Sequence, residues 1–260
     1  MSLSVVIPSR DPRFLQKTVD DVLRKAHGLT EVIVVLDGYE VVLHPHPQVQ
    51  VIQFDQHRGM RAAINAGMEV ARGECVMKLD EHCLMAEGFD LELAYNSQLN
   101  WVVIPRRYRL DPVKWEVIAD GRPPIDYMRL QEDPGYIHGV KWHRPERADP
   151  EFDIDDTPAF QGSCWFMYRQ LWRQIAPMDD AAYGPFANEA QEIASKVLAP
   201  RWNGRVVVNK RTWYAHWHKG QAGTGYGFTH EQQEKFEADK QRGRANFAQK
   251  FEEQHEQRAG

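Results

Sequence analysis

This 260-residue chain has only three cysteines, Cys75, Cys83 and Cys164, and no Cys-x-x-Cys pair. So few thiols exclude a disulfide framework and suit a reducing compartment. No apolar run is long enough to span a bilayer. The start, M-S-L-S-V-V-I-P, lacks a basic segment ahead of a long apolar stretch, so it does not read as a signal peptide. A soluble, cytoplasmic protein is the expectation. Positive charge is not in excess either. The net charge of −5 gives no global field for nucleic acid, which leaves only a local basic patch open. Phosphate-binding glycine loops are missing as well. The glycine-rich stretch 220–228 (G-Q-A-G-T-G-Y-G-F) has no Lys-Ser/Thr ending and reads as a loop, not a P-loop.

What is present is ordinary for a globular protein: 42% hydrophobic and 27% charged residues. The 8 Trp, 9 Tyr and 11 Phe suit sugar and nucleotide sites, and equally a core. The length allows one large α/β domain or two small ones.

The first hundred residues alternate strand and helix. Residues 3–8 form a short apolar run that reads as a buried strand. Phe14, Leu15, Val19, Val22, Leu23 and Ala26 then recur at helical spacing up to Gly28. Residues 31–36 (E-V-I-V-V-L) read as a second buried strand ending at Asp37-Gly38, and residues 49–54 as a third. A helix carrying Met60, Ala63, Ile64, Gly67, Met68 and Ala71 on one face precedes a strand over 74–79. Strand–helix–strand order implies parallel strands with right-handed crossovers. Ligands of such sheets bind beyond the carboxyl ends of the strands. That rule puts Asp37 and the loop of Ser9, Arg10 and Asp11 on the ligand side. Asp37 is placed to accept from a ribose or a uracil N–H, although Asp-Gly is also a common turn pair. Arg58 and Arg61, near the start of the second helix, are placed either to reach a diphosphate or to sit in solvent.

The strand over 74–79 ends in Asp80-Glu81-His82-Cys83. Residues two apart point the same way on an extended chain, so Asp80 and His82 converge while Glu81 points elsewhere. A carboxylate oxygen beside an imidazole nitrogen suits a borderline divalent ion such as manganese, with positions left for water and phosphate oxygens.

Further along, a helix is expected over 87–97 and a strand over 101–105, followed by an irregular stretch, 106–160, rich in Arg, Pro, Asp and Trp. Its basic runs, Arg106-Arg107-Tyr108-Arg109 and 141–147, would suit an anionic acceptor, nucleic acid included, or lie on an ordinary surface. Strands are expected over 163–168 and 205–209. Asn188 would cap a helix that carries Glu189 and Glu192 on one face. His216 and His218 form an H-x-H pair, and either could complete a metal site. The last segment, 229–260, is charged and helical in propensity, with Phe236, Phe247 and Phe251 as sparse anchors.

The motifs S-V-V-I-P, V-V-L-D-G, R-G-M-R-A-A-I-N and L-D-E-H-C, followed by T-P-A-F-Q-G-S-C-W-F-M, F-A-N-E-A-Q-E and Y-A-H-W-H, resemble a GT-A fold glycosyltransferase. The D-x-H-C form is similar to the polypeptide N-acetylgalactosaminyltransferases, within the family 2-like superfamily. The resemblance spans residues 3–228. It implies an α/β fold: a Rossmann-like mixed sheet flanked by helices, here with a C-terminal helix. It implies a nucleotide-sugar half, 1–105, an acceptor and sugar half with a lid loop, 106–228, and a helical extension, 229–260. It also implies Mn²⁺ on Asp80, His82 and His216, with His218 as competitor, and a UDP-sugar donor. Donor contacts would come from Pro8, Ser9, Arg10, Asp37, Arg58, Arg61, Gly162 and Glu192. Catalytic roles fall to Asp80 and Glu189, and the acceptor would meet Trp142, Trp165 and Phe186, with core packing as the other reading of the two tryptophans. Retention is implied, since Ala190 and its neighbours offer no aspartate base of the inverting kind. Donor sugar, acceptor and oligomeric state are not given. The rival classes are an inverting family 2 enzyme, a nucleotidyltransferase and a non-catalytic nucleotide-sugar-binding protein.

Overall fold

The computed structural model describes residues 1–134, 136–184, 188–199, 201, 203–218 and 230–259. Strand β1 (Ser2–Ser9) leads through helix α1 (Leu15–Lys25) to β2 (Leu29–Asp37) and β3 (Val49–Phe54). Helix α2 (Met60–Val70) returns the chain to β4 (Cys75–Leu79), and the short β5 (Cys83–Met85) and α3 (Phe89–Tyr95) follow. Then come β6 (Trp101–Asp111), β7 (Glu116–Val117), the hairpin β8 (Tyr127–Asp133) and β9 (Tyr136–Trp142), and β10 (Ile154–Asp156). The remainder is β11 (Cys164–Tyr168), α4 (Arg169–Ile175), α5 (Asp180–Tyr183), α6 (Glu189–Val197), β12 (Arg205–His216) and α7 (His230–Ala259).

One mixed sheet runs in the order β10-β12-β6-β11-β4-β1-β2-β3. The strands β4, β1, β2 and β3 are parallel, as the sequence pattern requires. β11 is antiparallel to both β4 and β6, so β6 and its parallel partner β12 end on the same side of the sheet as β4. The ends of β1, β2, β4, β6 and β12 therefore face one region.

Both faces of the sheet are covered, which is why its strands read as continuous apolar runs. Val5, Ile7, Val32 and Val34 pack with Leu15, Val19 and Val22 of α1 on one face. Val6, Ile33 and Val35 pack with Ala63, Ile64 and Met68 of α2 on the other. A Cβ on Gly67 would stand 2.4 Å from Val6 Cγ1, so α2 lies this close to β1 only because Gly67 has no side chain.

The stretch 106–160 is more regular than its sequence suggests. β6 continues to Asp111, and β8 and β9 form a two-stranded sheet. The hairpin is half exposed and charged, so apolar alternation is weak along it. Against it lies α7, with Phe247 buried beside Ile137 and Tyr183. Phe236 is only half-buried, and the Phe251 side chain lies outside the described ones. Among the described residues no helix is long and apolar enough to cross a membrane.

Candidate active site

The end of β4 delivers Asp80, and the turn into β5 delivers His82. β12 brings His216 opposite Cys83, beside them. His82 Nε2 lies 3.1 Å from His216 Nε2, and His216 Nε2 lies 3.1 Å from Asp80 Oδ2. One ligand atom from each of the three residues falls within 4.8 Å of the other two. His218, the competing histidine, is exposed and stands outside this group, its ring 6.1 Å from that of His216.

The donor set fits a divalent ion. The two imidazoles face each other through Nε2, where at most one hydrogen bond can join them, and a carboxylate oxygen completes the convergence. Burial pushes the His216 imidazole down to about 3, against the pull of its Asp80 hydrogen bond, so at neutral pH the ring offers a lone pair. Burial alone would raise the Asp80 carboxyl. The Lys78 ammonium and the His216 hydrogen bond outweigh it and hold Asp80 well below the usual carboxylate range. The buried His82 Nδ1 has no hydrogen-bond partner among the described residues.

Lys78 and Glu81 had no assigned role in the sequence reading, and both build the site. Lys78 Nζ bonds Asp80 Oδ1 and donates to the Gly162 carbonyl at 2.6 Å, tying β4 to the 161–163 turn. Glu81 does not point wholly elsewhere, since its Oε1 stays 3.8 Å from His82 Nδ1, and it also reaches the loop after β1. Its Oε2 accepts from the Ser9 hydroxyl, from Arg10 N–H at 2.7 Å and from Asp11 N–H at 3.1 Å. Its carbonyl accepts from Thr18 Oγ1 at 2.9 Å.

Asp37 is nearly buried, and its carboxylate closes the turn before α2. It accepts from the His57 ring at 2.6 Å, from Arg58 N–H at 2.6 Å and from Gly59 N–H at 3.0 Å. Arg10 Nη1 stands 3.0 Å from His57 Nε2, so Asp37, His57 and Arg10 form one chain along the strand ends. Arg58 is exposed, with its guanidinium over the Phe54 ring. Pro8 and Ser9 are buried at the end of β1. Gly162 lies beside Glu189, whose Oε2 is 3.6 Å from where a Cβ on Gly162 would stand.

Three expected contacts are corrected. Arg61 and Glu192 are fully buried and bond each other, Nε to Oε2, at 2.9 Å. Arg61 Nη1 also donates to the Gly184 carbonyl, and Glu192 Oε1 accepts from Asp179 N–H and Lys196 Nζ, all at 2.8 Å. This pair joins α2 to α6 from inside the protein and does not face a donor. Trp165 is likewise fully buried, stacked on Trp172 at 5.6 Å, which makes it core rather than acceptor wall. Trp142 is half-exposed on the hairpin, with the Arg144 guanidinium 4.2 Å from its ring. Asn188 sits in the left-handed region (φ 58°) and makes no side-chain cap, contrary to expectation. Phe186 and the loop 220–228 lie outside the described residues.

A parallel β–α–β half ending at an Asp-x-His pair, continued by a sheet that returns a second histidine to the same edge, is the architecture of a GT-A glycosyltransferase. The chain belongs to glycosyl transferase family 2, whose model matches residues 4–175. The fold is similar to that of GalNAc-T7 solved with UDP, GalNAc and Mn²⁺, at TM-score 0.68 and 18% identity, over 84% of this chain and 44% of that one. It is also similar to the mannosyltransferase PcManGT from Pyrobaculum calidifontis in complex with GDP-Man and Mn²⁺, at TM-score 0.55 and 14% identity, over 82% and 56%. A third similar structure is S. aureus TarS 1-349 in complex with UDP-GlcNAc, at TM-score 0.54 and 14% identity, over 88% and 62%. The chain thus spans 44% to 62% of the length of these structures. No curated protein matches it by sequence.

Proposed function

We propose that this glycosyltransferase moves a sugar from a UDP-sugar to an acceptor hydroxyl, with Asp80, His82 and His216 holding Mn²⁺ or a similar divalent ion. The observation that carries this reading is the convergence of three ligand atoms within 4.8 Å at the edge where the nucleotide half ends. When bound, such an ion offsets the charge of the departing diphosphate. The chain's own residues do the rest. Lys78 fixes the orientation of Asp80. Glu81 holds the loop of Ser9 and Arg10 against the metal motif. Asp37, His57 and Arg10 offer polar atoms to the nucleoside. Gly162 and Glu189 border the space for the sugar. In this reading residues 1–105 bind the donor, residues 106–228 shape the acceptor side, and 229–260 brace the hairpin. A cytoplasmic setting belongs to the same reading, supported by three free thiols.

Retention of anomeric configuration is the favoured outcome. An inverting aspartate would be expected near Glu189 and none stands in that stretch, which leaves Glu189 as the carboxylate beside Gly162. Glu189 acting as a base is the inverting alternative, and NMR of the product anomer separates the two. The nucleotidyltransferase reading is disfavoured by Glu81. The N–H groups of Arg10 and Asp11, which would cradle a phosphate, already donate to its carboxylate.

The test is nucleotide release from a panel of UDP- and GDP-sugars with Mn²⁺ or with EDTA. Slow Mn²⁺-dependent release from one UDP-sugar is expected. Asp80→Asn should lower it at least about a hundredfold, because an ion stabilises developing charge by several kcal/mol. Release that is equal in EDTA would refute the metal assignment.

A further inference from the structure

His82 lacks the usual fixture of a metal-binding histidine. A ligating imidazole ordinarily donates its other ring nitrogen to a carboxylate or a carbonyl, which sets both the tautomer and the ring plane. The His82 Nδ1 is buried and has no hydrogen-bond partner among the described residues. Glu81 Oε1 stands 3.8 Å from it, beyond hydrogen-bond reach. Something else must hold the ring.

Trp217 touches it twice. The two rings meet edge to face, with centroids 5.7 Å apart and planes at 89°. The Trp217 backbone N–H also donates to the His82 carbonyl at 3.2 Å. One residue thus holds both the main chain and the side chain of the histidine. The His216 ring lies 4.8 Å from that of His82, but the two meet through Nε2, where the ligand atoms converge.

Trp217 is fixed in its turn. The Phe14 ring meets it edge to face at 5.1 Å, and the Arg13 guanidinium lies 5.1 Å from the indole. Phe14 leans on Trp115, at 6.0 Å, in the connection between β6 and β7. Trp217 is 7% exposed and packs with Leu84, Leu110 and Ala215 in a small cluster, apart from the two large ones that flank the sheet.

We propose that Trp217 is the positioning residue of His82. Its ring fixes the plane of the imidazole in place of an Nδ1 hydrogen bond, and so aims Nε2 at the point where Asp80 and His216 converge. Edge-to-face packing suits this task because it is directional: aromatic rings favour it over a face-to-face sandwich. The same contact ties the ligand to the loop after β1. Glu81 holds the start of that loop at Ser9, Arg10 and Asp11, while Arg13 and Phe14 at its end hold Trp217. This inference rests on the metal reading above and adds a residue to it.

Calorimetric titration of the full chain with CoCl₂ and with MgCl₂, UDP present, tests it. The two ions are compared because an imidazole nitrogen suits cobalt better than magnesium, which prefers oxygen. Trp217→Leu should weaken Co²⁺ binding about tenfold, the lower end of the cost of losing an outer-shell partner, and Mg²⁺ binding much less. Trp217→Phe keeps an aromatic ring and should stay within about threefold of the parent. Equal losses for the two ions would assign Trp217 to packing alone and overturn the proposal, as would unchanged Co²⁺ affinity. Nuclear Overhauser contacts between the His82 and Trp217 rings, read on the metal-free parent, decide the matter if Trp217→Leu folds poorly. They are expected, and their absence overturns the proposal. A parent that binds neither ion refutes the metal reading and the proposal with it. A parent that binds both and is indifferent to Trp217 overturns the proposal alone.

Discussion

Two buried arginines, Arg61 and Arg107, divide the molecule into what holds it together and what it leaves open. Arg61 lies at the junction of α2 and α6, fully enclosed, with Glu192, the Gly184 carbonyl and the Tyr183 ring around it. Arg107 lies at the junction of β6 and β12, almost as enclosed, with no partner for its guanidinium among the described residues. Burial and residue type are the same, so neither decides the role. What separates them is whether the charge has been answered within the fold. An answered charge fixes one element against another. The Arg107 guanidinium nitrogens are not among the fully enclosed atoms without a partner, so its charge is met by solvent at the tip and not by another element of the fold.

The largest expected effect belongs to Arg61. Arg61→Met leaves Glu192 charged and buried without its main partner, a loss of about 3–5 kcal/mol by the usual cost of breaking one side of a buried pair. Urea denaturation measures it. A change under about 1 kcal/mol would mean that Glu192 is satisfied by Asp179 and Lys196 alone, and the contrast with Arg107 would break. Glu81 comes next, as an answered carboxylate. Glu81→Gln replaces three charge-assisted bonds with neutral ones and should destabilise by about 1–2 kcal/mol. It should also raise the KM for the donor by loosening the loop of Ser9 and Arg10. Unaltered KM with lowered stability would confine Glu81 to a structural role.

Arg107→Met sharpens the comparison from the other side. No partner is lost, so stability should stay within about 1 kcal/mol of the parent. A loss as large as that of Arg61→Met would reveal a hidden partner. The smallest effect is the acid response of Asp37. Burial would raise its carboxyl, but the His57 ring and the Arg58 N–H outweigh this and hold it below its ordinary 3.8. Its stabilising contribution is therefore full above the unfolded value and falls away as pH drops below 3.8 toward the folded value. Asp37→Asn should flatten that part of a melting-temperature profile and leave the profile above pH 5 parallel to the parent's, since the aspartate is ionised in both states there. An unchanged acid limb would remove Asp37 from the account.

The first hundred residues were legible because their chemistry is local. Buried parallel strands are apolar throughout, α1 and α2 carry clean helical periodicity, and Asp80 and His82 lie two residues apart, although a turn after β4 and not an extended strand brings them together. β3 is found over the residues expected, Val49–Phe54. The pairing of Arg61 with Glu192 was not legible. The two are 131 positions apart, and only packing of α2 on α6 shows that a basic and an acidic side chain, both plausible donor contacts, neutralise each other. Trp165 failed for a similar reason, since a tryptophan beside a site glycine reads the same whether it faces inward or outward. The continuation of β6 past residue 105 was hidden by its arginines. A strand that carries charged residues in this way has no apolar alternation to display.

The central claim is that Asp80, His82 and His216 bind one metal ion as a unit, and electron paramagnetic resonance of Mn²⁺ titrated into the protein with UDP tests it most directly. The account predicts one bound Mn²⁺ per chain, lost in Asp80→Asn and in His216→Ala and retained in His218→Ala. Mn²⁺ binding that survives both of the first two substitutions, or is lost only in the third, would contradict it.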